Sequence, residues 1–533
     1  MSFKTVKSTD KGGDRRTFMA RSACAAMGAT GIVNSLAHLR LIQAAAAAGA
    51  PLDDYKAIVV LFQYGGNDSN NMLIPTANST GTLFNRTEYD VNRGVLAIAD
   101  ADLLKLTGAL GSGSEKFGLQ PGFGANSGAN GNRGPANLYD AGELAFVANV
   151  GTLVQPFHSD INTFESEALA NFQNESYAKA PRLYSHSDQQ VQMQSSVPDQ
   201  AYKTGWGGRA ADLLNASYNA GGNVSMNIAL NGLNKLQVGT AGDVSQYVVT
   251  STGARSLDGF GAGYRDAAVL NPDGSAASYK KTPTGERLKG FDKIMRHTHD
   301  NLLEEGYNEV MRRSRANEAT VSSAILEAAA SGFDLDAIFA GNDNDIHNEL
   351  KMVARLIAGR NAFGNQRQIF FCADAEWDTH SNQLAGHGDR LSDLGGALAA
   401  FNESMHQLGV HDKVLVITQS DFSRTFTPNR TDPAEAGADH GYGGHMVVMG
   451  GPVQGGKVYG RLPRFLIGDQ PGSIDTSSNR GRWIPSTSTD QYLSVAADWF
   501  GINRGSTEME TIFPNLGRFD DPWTGAAQLN YLA

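Results

Sequence analysis

Five short runs of almost unbroken aliphatic and aromatic residues constrain this chain most. They are Ala57–Gln63 (AIVVLFQ), Glu143–Val150 (ELAFVANV), Gln368–Cys372 (QIFFC), Lys413–Thr418 (KVLVIT) and Met446–Gly450 (MVVMG). A strand with one wet face alternates apolar and polar residues, whereas a run without alternation belongs in a parallel sheet covered on both sides. Helical patterns lie between the runs. Leu391, Leu394, Leu398, Phe401, Met405 and Leu408 recur at three- and four-residue steps, one apolar stripe on a helix of about five turns. That helix leads directly into KVLVIT. Further helices are expected near His347–Ala358, ahead of QIFFC, and at Gln491–Phe500 after Thr489-Asp490. Alternating strands and helices predict a doubly wound α/β fold, with a mainly parallel sheet and helices on both faces. Its functional residues should sit at the carboxyl ends of the strands.

Two stretches break this rhythm. Residues 109–137 are rich in Gly, Asn and Ser and read as a long surface loop. Residues 215–290 have a similar bias, with weak strand signals such as Tyr247–Val249, and read as a Gly/Asn-rich insertion or cap on the sheet. Apolar residues make up 41% of the chain, enough for a sizeable core. A formal net charge of −11 argues against nucleic acid as a partner.

The first fifty residues carry a different message. Arg15 and Arg16 stand in Asp14-Arg15-Arg16-Thr17-Phe18-Met19, ahead of a mildly apolar, alanine-rich stretch ending in Ala44 to Ala48. Charged start, apolar middle and small-residue end are the parts of a secretory signal, and the paired arginines select its twin-arginine version. Residues 1–48 are therefore expected to be a signal handled by the twin-arginine translocase, with residues 49–533 forming the exported domain. The middle is too short and polar for a bilayer span, so no stable membrane span is expected, and the mature protein is expected in the periplasm or secreted. Cys24 lies in the signal, which leaves Cys372 without a disulfide partner.

Chemistry is suggested by the polar residues at the strand ends. After AIVVLFQ comes Tyr64-Gly65-Gly66-Asn67-Asp68; after QIFFC, Asp374 to Gln383 with Asp378 and His380; after KVLVIT, Gln419-Ser420-Asp421-Phe422-Ser423-Arg424. Asp439-His440-Gly441-Tyr442-Gly443-Gly444-His445 stands just before MVVMG. Carboxylates and imidazoles gathered this way suit zinc, iron or manganese, or general acid and base work. Each piece also has a local reading: Asp68 or Asp421 as a helix or turn cap, Arg424 as an ion-pair partner, Asp439-His440-Gly441 as an ordinary loop. His158, His347, His406 and His411 read as structural, His297 and His299 as surface residues, and His387 as lying near the Asp378 cluster without a motif.

On these residues the chain resembles the twin-arginine-exported family catalogued as domain of unknown function 1501, placed with sulfatases in the alkaline-phosphatase-like superfamily. The marks are Gly65-Gly66-Asn67-Asp68 with Asn71 and Pro75, Ser185-His186, and Gly205-Trp206 with Arg209. Then come Trp377 to Gln383, Ser420 to Thr425, Asp439-His440-Gly441 with Gly444-His445, and Gly455-Gly456. Trp377, Asp421 and Ser423 depart from the usual phenylalanine, glutamate and glycine. The resemblance implies an alkaline-phosphatase-like fold and a divalent metal, zinc, manganese, iron or calcium. By similar placement the metal set would be drawn from Asp68, Asp378, His380, Asp421, Asp439, His440 and His445. Phe422 stands where a histidine is expected after Asp421, so the second metal position is incomplete unless His440 substitutes in space. Ser185, at the start of a helix, is the candidate nucleophile; its alternative role, or that of Ser187, is to cap that helix. Arg424 is the candidate clamp for an anionic group.

The expected function is an exported metal-dependent hydrolase acting on phosphate or sulfate esters, with a small anionic ester or a polysaccharide as substrate. The competing expectation is a non-catalytic binding or surface-assembly protein on the same fold.

Overall fold

The computed structural model describes residues 54–76, 85–108, 116–124, 133–220, 222, 224–240, 244–271, 274–330, 332–341, 343–525 and 528–533. The expected signal, residues 1–48, lies outside them. So does much of the expected loop 109–137, whose described part includes a strand, Phe117–Leu119, and the start of a helix, Pro135–Asp140.

All five apolar runs are strands of one sheet, which has ten strands among the described residues. Its main strands are β1 (Lys56–Gln63), β2 (Leu144–Gly151), β3 (Asn227–Ala229), β4 (Tyr247–Thr250), β5 (Arg367–Asp374), β6 (Val414–Ser420) and β7 (Gly444–Met449). They lie side by side in the order β2-β7-β6-β1-β5-β3-β4. The pairs β6-β1, β1-β5, β5-β3 and β3-β4 are parallel. β7 is antiparallel to both β6 and β2, so the sheet is mainly parallel, as expected, but the run MVVMG is not one of its parallel strands. Burial on both faces does not reveal a strand's direction, because an antiparallel strand inside a covered sheet is equally apolar.

The runs lack alternation because each face meets its own core. Ala57, Val59 and Leu61 of β1 join Leu350, Val353 and Leu356 of α5 (Asp345–Ala358) and Leu391, Leu394 and Leu398 of α6 (Gln383–Gln407). Ile58, Val60 and Phe62 join Trp206, Ala210 and Leu214 of α3 (Trp206–Tyr218) and Tyr492, Leu493 and Ala496 of α7 (Thr489–Phe500). The fold is thus α/β, a mostly parallel mixed sheet with helices on both faces. Two further helices bear on the site: α1 (Arg86–Arg93) and α2 (His186–Ser195). α4 (Leu302–Ala330) packs on α5. Within 215–290, expected as an insertion or cap, β3 and β4 extend the main sheet, while Ala268–Leu270 and Ala276–Tyr279 pair as a separate two-stranded sheet. Cys372 is a buried free thiol in β5.

Register places the chemistry. Gln63 is level with Asp374 of β5 and Ser420 of β6, so three parallel strands end at one height. The reversal of β7 brings its first residue, Gly444, beside Val150 near the carboxyl end of β2. The segment before β7 therefore meets the loops beyond β1, β5 and β6. No helix among the described residues is long and apolar enough to cross a membrane.

Beneath this edge lies His387, edge-on to Trp377 and hydrogen-bonded through Nε2 to Asn67 Oδ1 at 2.9 Å. Burial, helped by the charges of Arg93 and Arg424, lowers its pKa to about 3. An unfolded histidine titrates near ~6.5, so between these values the folded chain binds fewer protons than the unfolded one. The stability this group contributes is present above the unfolded value and is lost as pH falls towards the folded one. The Tm of the wild type should fall more steeply than that of His387→Gln between about pH 7 and about pH 4.5, a range inside that window. Parallel Tm curves for the two proteins would refute this role.

Candidate metal centre

The turn after β1 is stripped of side chains where neighbouring loops press on it. Gly65 and Gly66 have φ of 115° and 90°, conformations that favour glycine. A Cβ on Gly65 would lie 2.5 Å from the Asp378 backbone nitrogen, and one on Gly66 2.7 Å from the Phe422 ring. The loops after β5 and β6 are thereby drawn over the end of β1. Gly65 N–H donates to Asp421 Oδ2 at 3.3 Å, and the Gly65 carbonyl accepts from Arg424 Nη1 at 3.0 Å.

Three histidines converge above this turn, each anchored through Nδ1. His186, in the first turn of α2, donates to Asp421 Oδ2 at 2.6 Å. His440 donates to the Tyr184 carbonyl at 2.7 Å, and His380 to Asp439 Oδ1 at 3.1 Å. Carbonyl and carboxylate oxygens only accept, so each Nδ1 carries the proton and each Nε2 of a neutral ring presents a lone pair. Those Nε2 atoms face one another: His186 to His440 at 3.0 Å, and His380 to His440 at 3.2 Å. Asp378 Oδ1 lies 3.0 Å from His380 Nε2 and 3.6 Å from His440 Nε2, and Asp378 Oδ2 is 3.6 Å from His186 Nε2. Opposed lone pairs at such distances call for a proton or a cation between them. His186, Asp378 and His440 each offer an atom within 4.8 Å of the others'. A nitrogen-and-carboxylate set with every imidazole fixed by an outer acceptor fits a divalent metal. Exposures of 30% for His186, 44% for Asp378 and 24% for His440 leave the group open to solvent.

The charges are arranged to match. Burial raises the Asp378 carboxyl, but the charge and 2.6 Å hydrogen bond of Arg424 outweigh it and hold the group below the usual range. Asp439 is lowered in the same sense, its burial outweighed by Arg480, which donates at 2.6 Å. The bond to Asp421 raises His186 against the effect of burial, whereas burial lowers His440.

Of the expected metal residues, Asp378, His380 and His440 meet directly. Asp421 and Asp439 orient His186 and His380. Asp68 and His445 lie deeper. The Asp68 side chain is fully buried, ion-paired with Arg93 of α1 and hydrogen-bonded by Gln383 of α6. His445 accepts from the Asn149 backbone N–H through Nδ1 at 3.1 Å, and its buried Nε2 has no hydrogen-bond partner among the described residues. Burial lowers its pKa to about 4. Arg424 is itself buried, with Nη1 on Asp378 and Gly65 and Nη2 on the Ala438 carbonyl at 2.6 Å. Ser185 is the N-cap residue of α2 but makes no side-chain cap bond; its hydroxyl donates to Asp188 Oδ2 at 2.6 Å and lies 3.3 Å from Ser187 Oγ.

His186 stands in this candidate group but was not among the residues expected from the sequence to bind metal. His186 lies against Asp421, beside which the resemblance implied a histidine, and His440 faces it. Its signal was its place beside Ser185, in the pair Ser185-His186. Arg93 and Gln190, whose amide donates to Asp421 Oδ2 at 2.9 Å, carried no comparable mark.

A family model described as "Protein of unknown function (DUF1501)" matches residues 173–471, more than half of the chain and the part containing this centre. No curated protein matches. Among solved structures, those described as "Crystal structure of Ps i-CgsB" and "Crystal structure of Ps i-CgsB in complex with k-i-k-neocarrahexaose" are 10% and 9% identical to this chain. Each alignment covers 88% of this chain and 78% of the other, with TM-scores of 0.26 and 0.24. At those scores nothing about those proteins transfers to this one.

The placement of Asp68 makes a prediction. Removing one partner of a buried ion pair strands the other, at a cost of roughly 3–5 kcal/mol. Asp68→Asn should lose about that much in urea unfolding, in line with the stranding cost, while its folded fraction binds metal as the wild type does. Wild-type stability together with lost metal would make Asp68 a ligand instead.

Proposed function

We propose that this chain, which belongs to the family described as Protein of unknown function (DUF1501), is an exported metal-dependent hydrolase of alkaline-phosphatase-like architecture acting on phosphate or sulfate esters. The observation that carries the reading is the set of three imidazoles whose Nδ1 atoms bond outward to oxygen acceptors and whose Nε2 atoms converge beside Asp378. His186, His440 and Asp378 would hold the ion, with His380 adjoining. A divalent cation there supplies positive charge for a developing oxyanion and lowers the pKa of an attacking hydroxyl.

The chain's own groups have separate tasks. Asp421, the Tyr184 carbonyl and Asp439 fix the tautomer and direction of the three rings, and Arg480 and Arg424 hold the carboxylates in place. Ser185 is the nucleophile in this reading: its oxygen would bond phosphorus or sulfur as the bond to the ester oxygen breaks and the alcohol leaves with a proton. Asp188 is placed to receive the serine proton, and water would then free the serine by releasing phosphate or sulfate.

One observation favours the non-catalytic alternative, a binding or surface-assembly protein. Arg424 and Ser185, the two groups expected to act on substrate, are both engaged by carboxylates of this chain. Metal analysis of protein from the periplasm separates the readings when joined to assays on phosphate and sulfate aryl esters. The hydrolase reading expects near-stoichiometric divalent metal and turnover. Metal and turnover should both fall at least tenfold in Asp378→Ala and in the double variant His186→Ala/His440→Ala. Metal without turnover on either ester class would support the binding reading, and a folded, metal-free wild type that cannot be reloaded would sink the metal centre. For export, changing Arg15 and Arg16 to Lys should leave the precursor in the cytoplasm; unimpaired export would rule out the twin-arginine route.

A further inference from the structure

At the other edge of the sheet a second group of ligand-forming side chains converges. Glu143 immediately precedes β2, His406 lies in the last turn of α6, and His411 opens the short turn leading into β6. The two imidazoles stack with ring centres 3.6 Å apart and planes within 20°. Both direct Nε2 at the same atom, Glu143 Oε2, at 3.1 Å from His406 and 3.5 Å from His411.

That oxygen is crowded. Arg133 Nη2 also donates to it at 2.8 Å, and Asn402 Nδ2 donates at 2.8 Å. Four nitrogens thus surround one carboxylate oxygen, where the whole group offers roughly four lone-pair directions, about two per oxygen. His411 Nε2 has Asn402 Oδ1 as its hydrogen-bond partner, and the three donors Arg133, Asn402 and His406 that remain on Oε2 already exceed its roughly two lone-pair directions. A ring that turns a lone pair inward faces the carboxylate and calls for a positive group, a place that Arg133 Nη2, 3.4 Å from His406 Nε2, partly fills and that a metal ion would take over. Asn402 Oδ1, 3.1 Å from His411 Nε2, adds a neutral oxygen at the same spot. Arg133 also bonds Glu143 Oε1 at 2.8 Å, so it can stay on that oxygen while Oε2 is taken by an ion.

We infer that Glu143, His406 and His411 form a second cation site, selective for late first-row divalent ions such as zinc or nickel. Two imidazoles and a carboxylate suit those ions over calcium or magnesium, which take oxygen sets. The three ligand atoms lie within 4.8 Å of one another. Glu143 and His411 are mostly buried, while His406, with 37% of its side chain exposed, gives an ion its way in. The site shares no residue with the candidate centre at the carboxyl edge. An ion here ties the start of β2 to the end of α6 and the approach to β6, so its role is to clamp the fold.

The test is metal stoichiometry and melting temperature on chelator-treated protein titrated with zinc, then with nickel. The wild type and His186→Ala/His440→Ala should each bind one equivalent more than the same proteins carrying His406→Ala/His411→Ala. That extra equivalent should raise Tm, and affinity for it should fall at least tenfold in the His406/His411 variants. Failure of the candidate centre alone would show as one equivalent in the wild type, still removed by His406→Ala/His411→Ala. Equal binding and equal Tm gain with and without His406 and His411 would overturn the inference. Glu143→Gln provides a variant with near-native volume, and it too should lose the extra equivalent.

Discussion

A buried ion pair holds the carboxyl edge of the sheet together. The side chains of Asp68, after β1, and Arg93, at the end of α1, are both fully buried. Arg93 also donates to the carbonyls of Thr425 and Phe426 beyond β6, and to Asn71 Oδ1, while Gln383 at the head of α6 donates to Asp68. One guanidinium therefore joins the segments after β1 and β6, and the carboxylate adds the helix that comes after β5. Burying two charges is costly, and the bonds to Arg93 and Gln383 offset that cost, although Asp68 Oδ1 has no hydrogen-bond partner among the described residues. Here the partners are the very loops that carry Asp378, His380, Asp421 and Arg424.

With the loops held in this way, the site above them becomes a problem of orientation. An imidazole can turn either nitrogen to a ligand, and the choice is made by what the other nitrogen bonds. Three different acceptors make that choice for His186, His380 and His440: a deep carboxylate, a backbone carbonyl and a half-exposed carboxylate. The carboxylates are restrained in turn, Asp421 by Gly65 N–H and Gln190, Asp439 by Arg480. Fixing ring direction through outer hydrogen bonds is how proteins raise the precision of a ligand set without adding ligands. The Glu143 group lacks this layer, since neither of its two Nδ1 atoms has a comparable anchor among the described residues, which suits a clamp more than a reaction centre.

The sequence was informative wherever the information is local. A run such as AIVVLFQ states that both faces are covered, and the two cores that flank β1 are what it required. The stripe Leu391 to Met405 states which face of α6 is buried. Clusters of Asp and His after three strands marked the edge at which the chemistry gathers. The same clusters could not show that Asp68 pairs with Arg93, because an aspartate after a glycine turn reads alike as ligand, cap or ion-pair member.

By itself, then, the sequence determined an α/β fold with a doubly covered sheet and the loops in which functional side chains stand, because burial leaves its period in the chain. Only the tertiary structure decided which of those side chains meet. The reversal of β7 brings Asp439 and His440 to the carboxyl edge, and that direction leaves no trace in a strand covered on both faces. His186 joins Asp421 across 235 positions because α2 begins against the loop after β6. Contacts of that range depend on how whole elements pack, which no local pattern encodes.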